Sequence, residues 1–99
     1  MFTYIVLFED DEAFASERQR HMEAHLSFLG SHADQISAAG PLIDQALDSG
    51  AGGLWLVQAT SQEDVEVLIH NDPFWPTGLR KSYRILLWRQ VFCDGKTLI

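Results

Sequence analysis

The chain has 99 residues, enough for one small domain over positions 1–99 with a core of marginal size. Hydrophobic residues make up 46% of the sequence and no low-complexity tract interrupts it, which excludes a disordered protein. Fourteen acidic and seven basic residues give a net charge of −7, which argues against nucleic acids and anionic membrane surfaces as partners.

The first predicted element is a β-strand over residues 2–8, whose sequence FTYIVLF is rich in β-branched and aromatic residues. Alternate side chains of a strand point to opposite faces of a sheet, and here both sets are largely apolar. The stretch is too short for a membrane span and lacks the basic flank of a signal peptide. Because Cys93 is the only cysteine, no intramolecular disulfide can form, and we predict a cytoplasmic location.

A single helix is predicted next, over residues 11–33, with acidic residues at its start, where the helix dipole favours negative charge. One stripe at helical spacing is expected to face the core: Met22, Leu26, Leu29 and Ala33. A second stripe lies beside it: Phe14, Arg18, His21, His25, Phe28 and His32. Its residues are predicted to sit at the edge of the core, where they line a pocket or cover apolar surface while their polar ends reach solvent.

The four-residue spacing of His21 and His25 would place two imidazole rings on one helix face, as in zinc-binding helices. Met22, however, stands where the glutamate of an HExxH motif would be, and no third ligand lies nearby in the sequence. The glycine loops that bind phosphates or dinucleotides are also lacking. We therefore predict neither a metal site nor a cofactor, and a metal or haem binder is only the third alternative.

Glycine- and proline-rich connections separate the remaining predicted elements. These are a strand over 35–43, a hairpin loop over 44–53, a strand over 53–60, a helix over 61–72, an aromatic corner over 71–79 and a strand over 81–92. Ser61 and Asp64 have the spacing of a capping box, which indicates where the second helix begins. Pro73 ends that helix, because the residue before a proline is pushed out of the helical region.

The predicted order of strand, helix, two strands, helix and strand is the ferredoxin-like α+β arrangement. In this βαββαβ fold two helices cover one face of an antiparallel four-stranded sheet. The opposite face is also apolar here, and a soluble monomer rarely exposes so large an apolar surface. We therefore predict a homodimer in which the uncovered sheet faces pack together.

Three segments, in this order and at this spacing, resemble the YCII-related family. They are AHLSFLGSHADQISAAGPL, the later NDPFWPTGL, and a terminal strand that contains Trp88. The matching positions are His25, Leu26, Leu29, Gly40, Pro41, Asp72, Pro73, Phe74, Gly78 and Leu79. The resemblance spans Phe2 to Phe92, with two departures: the corner is bulkier at Trp75 and Pro76, and His21 adds a second imidazole.

This resemblance implies a dimeric α/β barrel with a cleft centred on a histidine and an aspartate, which here are His25 and Asp72. The few family members with an assigned activity eliminate groups from small ring compounds, as a dehydrochlorinase does, and muconolactone isomerase is a structural relative. The implied function is that of a small cofactor-independent acid–base enzyme, a lyase or isomerase that acts on a small, ring-derived organic substrate.

A histidine beside a carboxylate can take up a proton near neutral pH and return it later. Around His25 and Asp72 we expect five substrate-binding residues: Arg18, His21, Gly40, Pro41 and Phe74. Arg18 would hold an anionic group, His21 would stand at the entrance, and the others would form the walls. Asp72 has a second role open to it, which is to cap the turn at Pro73. The alternative function is a non-catalytic dimeric module that binds a small ligand or a partner.

Overall fold

A computed structural model describes residues 1–99. The strands of the main sheet are β1 (Phe2–Asp10), β2 (Ile36–Asp44), β3 (Ser49–Ala59) and β4 (Arg80–Leu87). The helices are α1 (Ser16–Arg20), α2 (Met22–Ser31) and α3 (Gln62–Asn71), and single 3₁₀ turns lie at Glu12–Phe14 and Trp75–Thr77. Two short strands, β5 (Phe92–Cys93) and β6 (Lys96–Thr97), form a separate hairpin near the C-terminus.

The four main strands form an antiparallel sheet in the order β2-β3-β1-β4. The predicted ferredoxin-like α+β fold is thereby confirmed, with three helices in place of the expected two. Ser61 caps α3 as the sequence predicted, since its side-chain oxygen accepts a hydrogen bond from the backbone N–H of Asp64. The longest helices have ten residues each, and none is long and apolar enough to cross a membrane.

The core lies between one face of the sheet and the helices α2 and α3. Strands β1 and β3 each bury every second side chain against the helices, as the two-residue period of a strand requires. The buried cluster comprises Tyr4, Val6, Phe8, Phe28, Ile36, Trp55, Val57, Ala59, Val65, Leu68 and Ile69. Each fully buried aliphatic side chain of this kind stabilises the fold by about 1.5–3 kcal/mol relative to an exposed one.

The opposite face of the sheet, which we call the open face, carries no helix. Ile5 lies between Leu56 on β3 and Leu86 on β4, and Leu7 lies beside Leu54. Partners in register share a face of the sheet, so these five apolar side chains form one surface. The register also settles which residue of the Leu86 and Leu87 pair belongs to it, because Leu87 lies opposite the buried Tyr4.

The single helix predicted over residues 11–33 is wrong. A 3₁₀ turn precedes α1, and the chain leaves helical geometry at His21, with φ −108° and ψ 11°, before α2 begins. The segment Ser16–Arg20 is polar and buries no side chain. Without an apolar stripe to pack on the sheet, nothing holds that segment in line with α2.

The predicted core stripe of this helix is wrong in part: Leu29 does pack against the buried cluster, but Leu26 and Ala33 are exposed. Leu26 is 58% exposed, whereas His25 and Phe28 are the buried residues of α2. The helix is thus rotated relative to the prediction, and His25 is a buried residue and not one at the edge of the core. Hydrophobic periodicity cannot identify such a residue, because a histidine is buried only where a partner satisfies its ring nitrogens.

Two strand boundaries differ from the prediction as well. The glycine-rich segment over 44–53 is mostly strand, since β3 begins at Ser49 and only four residues turn between β2 and β3. The strand predicted over 81–92 ends at Leu87, and the chain then forms the β5–β6 hairpin. Asp94 and Gly95 turn this hairpin with positive φ angles of 52° and 76°, the geometry favoured for two-residue hairpin loops.

Candidate active site

Asp72 is the most deeply buried charged residue of the chain and follows α3 directly. Its side chain is 0% exposed, and its extended backbone, with φ −66° and ψ 131°, ends the helix before Pro73. Oδ1 accepts a hydrogen bond of 3.0 Å from the backbone N–H of Phe74. The backbone carbonyl accepts another of 2.8 Å from Trp75. The turn-capping role considered for Asp72 is therefore present in the structure, alongside the contacts described next.

His25 projects from α2 toward this corner, where its Nδ1 lies 2.8 Å from Oδ1 of Asp72. An ionised carboxylate can only accept hydrogen bonds, so the geometry assigns the donor to Nδ1–H; in the neutral form of the ring, Nε2 is then the unprotonated nitrogen. Nε2 has no hydrogen-bond partner in the chain and is not among the fully enclosed polar atoms. It is therefore the atom of this pair that can accept a proton from another molecule.

Phe74 fixes the plane of this imidazole. The two rings stack with their centroids 4.0 Å apart and an angle of 16° between their planes. Phe74 is 0% exposed, so it supports His25 from within the protein and is not a wall open to solvent. The ring is thus held by a hydrogen bond at one edge and by an aromatic face beside it.

Arg80, the first residue of β4, is the component that the sequence analysis missed. Its Nη1 forms an ion pair with Oδ2 of Asp72, and its side chain is 4% exposed. The guanidinium carbon lies 3.8 Å from the ring centroid of Phe8 and 5.0 Å from that of Trp55, distances typical of cation–π contacts. The only available signal was physical, namely that a buried carboxylate needs a cation beside it. Helical or strand periodicity does not indicate which arginine supplies that cation.

These contacts decide the charge of Asp72. Burial raises the pKa of its carboxyl, but the hydrogen bond from His25, the charge of Arg80 and the N–H of Phe74 outweigh burial and hold the pKa below its ordinary value. Burial lowers the pKa of the Arg80 guanidinium, and Asp72 opposes this effect. Arginine stays protonated in proteins, so the site holds an anion and a cation side by side.

Arg18 connects this buried site to an open cleft. Its guanidinium lies 5.5 Å from the ring centroid of Phe74, and its Nη2 lies 2.6 Å from Oδ2 of Asp10. The cleft has a volume of about 750 Å³ and lies between the end of β1, α1 and the β2–β3 hairpin. Its charged lining residues are Glu9, Asp10, Asp11, Glu12 and Arg18, and Pro41 and Leu79 contribute apolar surface. His25 and Asp72 do not line it.

The remaining predicted site residues lie apart from the pair. His21 faces Glu17, with its Nε2 2.9 Å from Oε2, so it shares no partner with His25. No group of three or more potential metal-ligating side chains occurs. Gly40 lies opposite Leu54 on the open face, the side of the sheet away from α2. The structure thus brings together His25, Asp72 and Phe74, with Arg18 beside them and Pro41 in the adjoining cleft.

The chain is similar to known proteins in sequence and in structure. A family model for the YCII-related domain matches residues 1–89. The structure resembles a 5-chloro-2-hydroxyhydroquinone dehydrochlorinase from Burkholderia phenoliruptrix, solved with 2,5-dihydroxybenzoquinone: the TM-score is 0.75 and the identity 23%, over 88% of this chain and 93% of the other. A protein from Arabidopsis thaliana gives a TM-score of 0.49 at 13% identity, over 95% and 99% of the two chains. No curated protein matches the sequence.

Proposed function

The chain belongs to the YCII-related domain family, and on that premise we propose that it is a cofactor-independent acid–base enzyme, a lyase or isomerase, in which His25 and Asp72 are the catalytic pair. The observation that carries the proposal is the hydrogen bond of 2.8 Å between Nδ1 of His25 and the fully buried carboxylate of Asp72. It leaves Nε2 as the ring nitrogen that would act as the base, and general base catalysis of this kind contributes about 10²- to 10⁴-fold.

The proposed reaction is proton abstraction followed by elimination or isomerisation. Nε2 of His25 takes a proton from the substrate. In an elimination, the electron pair of the broken bond forms a new double bond, and a leaving group departs with its own bonding pair. In an isomerisation, the anion is protonated again at a different atom. Asp72 does not take up the proton; it orients the ring and stabilises the imidazolium that forms. In the isomerisation the imidazolium returns the proton to the substrate, and in the elimination it releases the proton to solvent, so neither reaction needs a cofactor.

The proposed substrate is a small, ring-derived organic molecule. A structurally similar protein is named as a dehydrochlorinase and was solved with 2,5-dihydroxybenzoquinone, and this supports a hydroxylated ring as the first compound to test. The adjoining cleft of about 750 Å³ is large enough for one such ring, and a single binding site commonly has this size. Arg18 would contact a polar substituent, while Pro41 and Leu79 would contact the ring.

We further propose that the active form is a homodimer that pairs two open faces. The support is the apolar surface of Ile5, Leu7, Leu54, Leu56 and Leu86, which lies outside the buried cluster and is partly exposed to solvent. Soluble proteins seldom expose contiguous apolar patches beyond a few hundred square ångströms, and a twofold axis lets one surface cover its copy.

One observation favours the second candidate, a module that binds a small ligand without turning it over. The cleft is lined by Arg18 but not by His25 or Asp72, and His25 is only 7% exposed. A ligand seated in the cleft as it stands would contact Arg18 and leave the histidine untouched. In this case the hydrogen bond between His25 and Asp72 would only attach the turn after α3 to α2.

Deuterium exchange separates the two candidates. The protein is incubated in D₂O with hydroxylated quinones and phenols, 2,5-dihydroxybenzoquinone among them, and deuterium incorporation at carbon is followed by NMR. The enzyme hypothesis expects exchange that is lost in His25→Asn and retained in His21→Asn, a matched control at the residue just before α2, whose ring faces Glu17. Binding of a ring compound without any exchange would favour the binding module.

A further inference from the structure

Arg80 has a role beyond packing that its contacts specify. Asp72 has two oxygens with different partners: Oδ1 faces His25 and the N–H of Phe74, while Oδ2 faces Arg80. The guanidinium therefore determines which oxygen is left for the histidine. Because Arg80 is itself held between aromatic rings at 3.8 Å and 5.0 Å, the carboxylate cannot turn without breaking the ion pair.

The charges around the ring can be counted from these contacts. Asp72 contributes one negative charge and Arg80 one positive charge, and Arg18 and Asp10 form a second neutral pair nearby. His21, one turn before His25, faces Glu17 at 2.9 Å, so its partner lies elsewhere. With a neutral His25 the buried network has no net charge. An imidazolium at His25 gives this buried network a net positive charge.

We propose that Arg80 is a positioning residue that neutralises Asp72, so that His25 acts as a base toward an uncharged substrate and the anion formed from that substrate supplies the missing counter-charge. This inference rests on the proposed function above and narrows its substrate class. The substrate carries an acidic proton on a carbon next to a carbonyl group. Its proton moves to Nε2, and its electron pair stays on the conjugated anion beside the imidazolium.

Without Arg80 the same pair would behave differently. Asp72 would then have His25 as its only counter-ion, and a buried carboxylate strongly favours a protonated neighbour. The histidine would hold its proton at rest and could donate one but not accept one. The arginine is thus the feature that distinguishes a site built for proton abstraction from a site built for protonation.

The test follows the titration of the His25 ring, which needs no substrate. Protein labelled with ¹⁵N-histidine is titrated from about pH 5 to about pH 9, and the ring nitrogens report charge and tautomer. In Arg80→Met the midpoint should move upward by about one pH unit or more relative to the native chain, because removing a neighbouring cation favours the imidazolium. Arg80→Lys keeps the charge and should move it by less than half as much.

Lys81→Met is the matched control, since Lys81 is the next residue on β4 and its exposed side chain pairs with Glu9 at 3.3 Å. It should leave the titration unchanged. If Arg80→Met does not fold, Arg80→Gln removes the charge while keeping a hydrogen-bond donor, and the same upward shift is expected. An unaltered ring titration in a folded, uncharged variant would overturn the proposal. Loss of stability without that shift would indicate a structural role only.

The two proposals can fail separately. A titration that shifts as expected, in a protein that never exchanges deuterium into any compound, would leave the role of Arg80 intact and refute catalysis. Deuterium exchange that persists in Arg80→Met at the native rate and with the native pH dependence would refute the role of Arg80 and leave the proposed catalysis intact.

Discussion

The imidazole of His25 lies nearly parallel to the ring of Phe74, 4.0 Å away, while its Nδ1 binds Asp72 at 2.8 Å. Asp72 and Phe74 are two residues apart on one turn, and the N–H of Phe74 itself binds Asp72. One short corner of the chain therefore sets both the orientation and the tautomer of a side chain that belongs to a different helix. Each of these contacts can be removed separately.

Removing the aromatic stack should disorder the imidazole of His25 while destabilising the fold only slightly, provided that the buried volume is kept. Phe74→Leu keeps most of the buried volume, so we expect a loss of about 1.5 kcal/mol or less in the free energy of unfolding. Phe74→Ala leaves a cavity, and for it we expect a loss of about 3–5 kcal/mol. Urea denaturation measures both. The ring signals of His25 should broaden or shift in Phe74→Leu, and unchanged signals would show that the stack does not orient the imidazole.

Asp72 and Arg80 should be strongly coupled. Removing one partner of a buried ion pair lowers the free energy of unfolding by about 3–5 kcal/mol, because the other charge is left buried without a counter-ion. We therefore expect losses of this size in Asp72→Asn and in Arg80→Met. The double variant should be more stable than the sum of the single losses implies, with a coupling energy of at least about 1 kcal/mol. Strictly additive losses in urea denaturation would contradict the ion pair.

The fold could be predicted from the sequence because it depends on patterns formed by residues that are close together in the chain. Strands of period two, the cap at Ser61 and the stop at Pro73 give the element order, and the order gives the topology. The proximity of His25 and Asp72 came from the family resemblance and not from periodicity. Arg80 could not be found, because a buried cation is recognised by what it faces across the fold. For the same reason His25 was placed at the edge of the core, although its partners bury it.

Stability should depend on pH through Asp72. In the folded protein the pKa of this carboxyl lies below the ordinary value of 3.8, so folding favours the ionised form. The resulting stabilisation is fully present above that value and is lost as the pH falls through the lower folded value. Below about pH 4 the free energy of unfolding should therefore fall more steeply in the native chain than in Asp72→Asn. Asp34→Asn, at an exposed position, should match the native curve.

Gly52 should tolerate no side chain, since it has φ 84° and a Cβ added there would lie 1.8 Å from the carbonyl oxygen of Phe8. Gly52→Ala must strain the backbone or move β3 away from β1, and we expect a loss of more than about 2 kcal/mol. Gly50→Ala is the control, because nothing lies within 4 Å of its Cβ position. It should change stability by no more than about 0.5 kcal/mol. Equal losses in the two variants would refute the close approach.

The proposed dimer is tested most directly at Leu86, which is 39% exposed and lies beside Ile5 on the open face. The native chain should sediment at micromolar concentration with twice the mass of a single chain. Leu86→Asp places a charge in the apolar interface, and an unpaired buried charge costs about 3–5 kcal/mol. Since about 1.4 kcal/mol is a factor of ten in affinity, the dimer should weaken at least a hundredfold and dissociate. Val67→Asp, at a residue of α3 that is 57% exposed, should leave it intact. A native chain that sediments as a monomer would show that the open face is not a dimer interface.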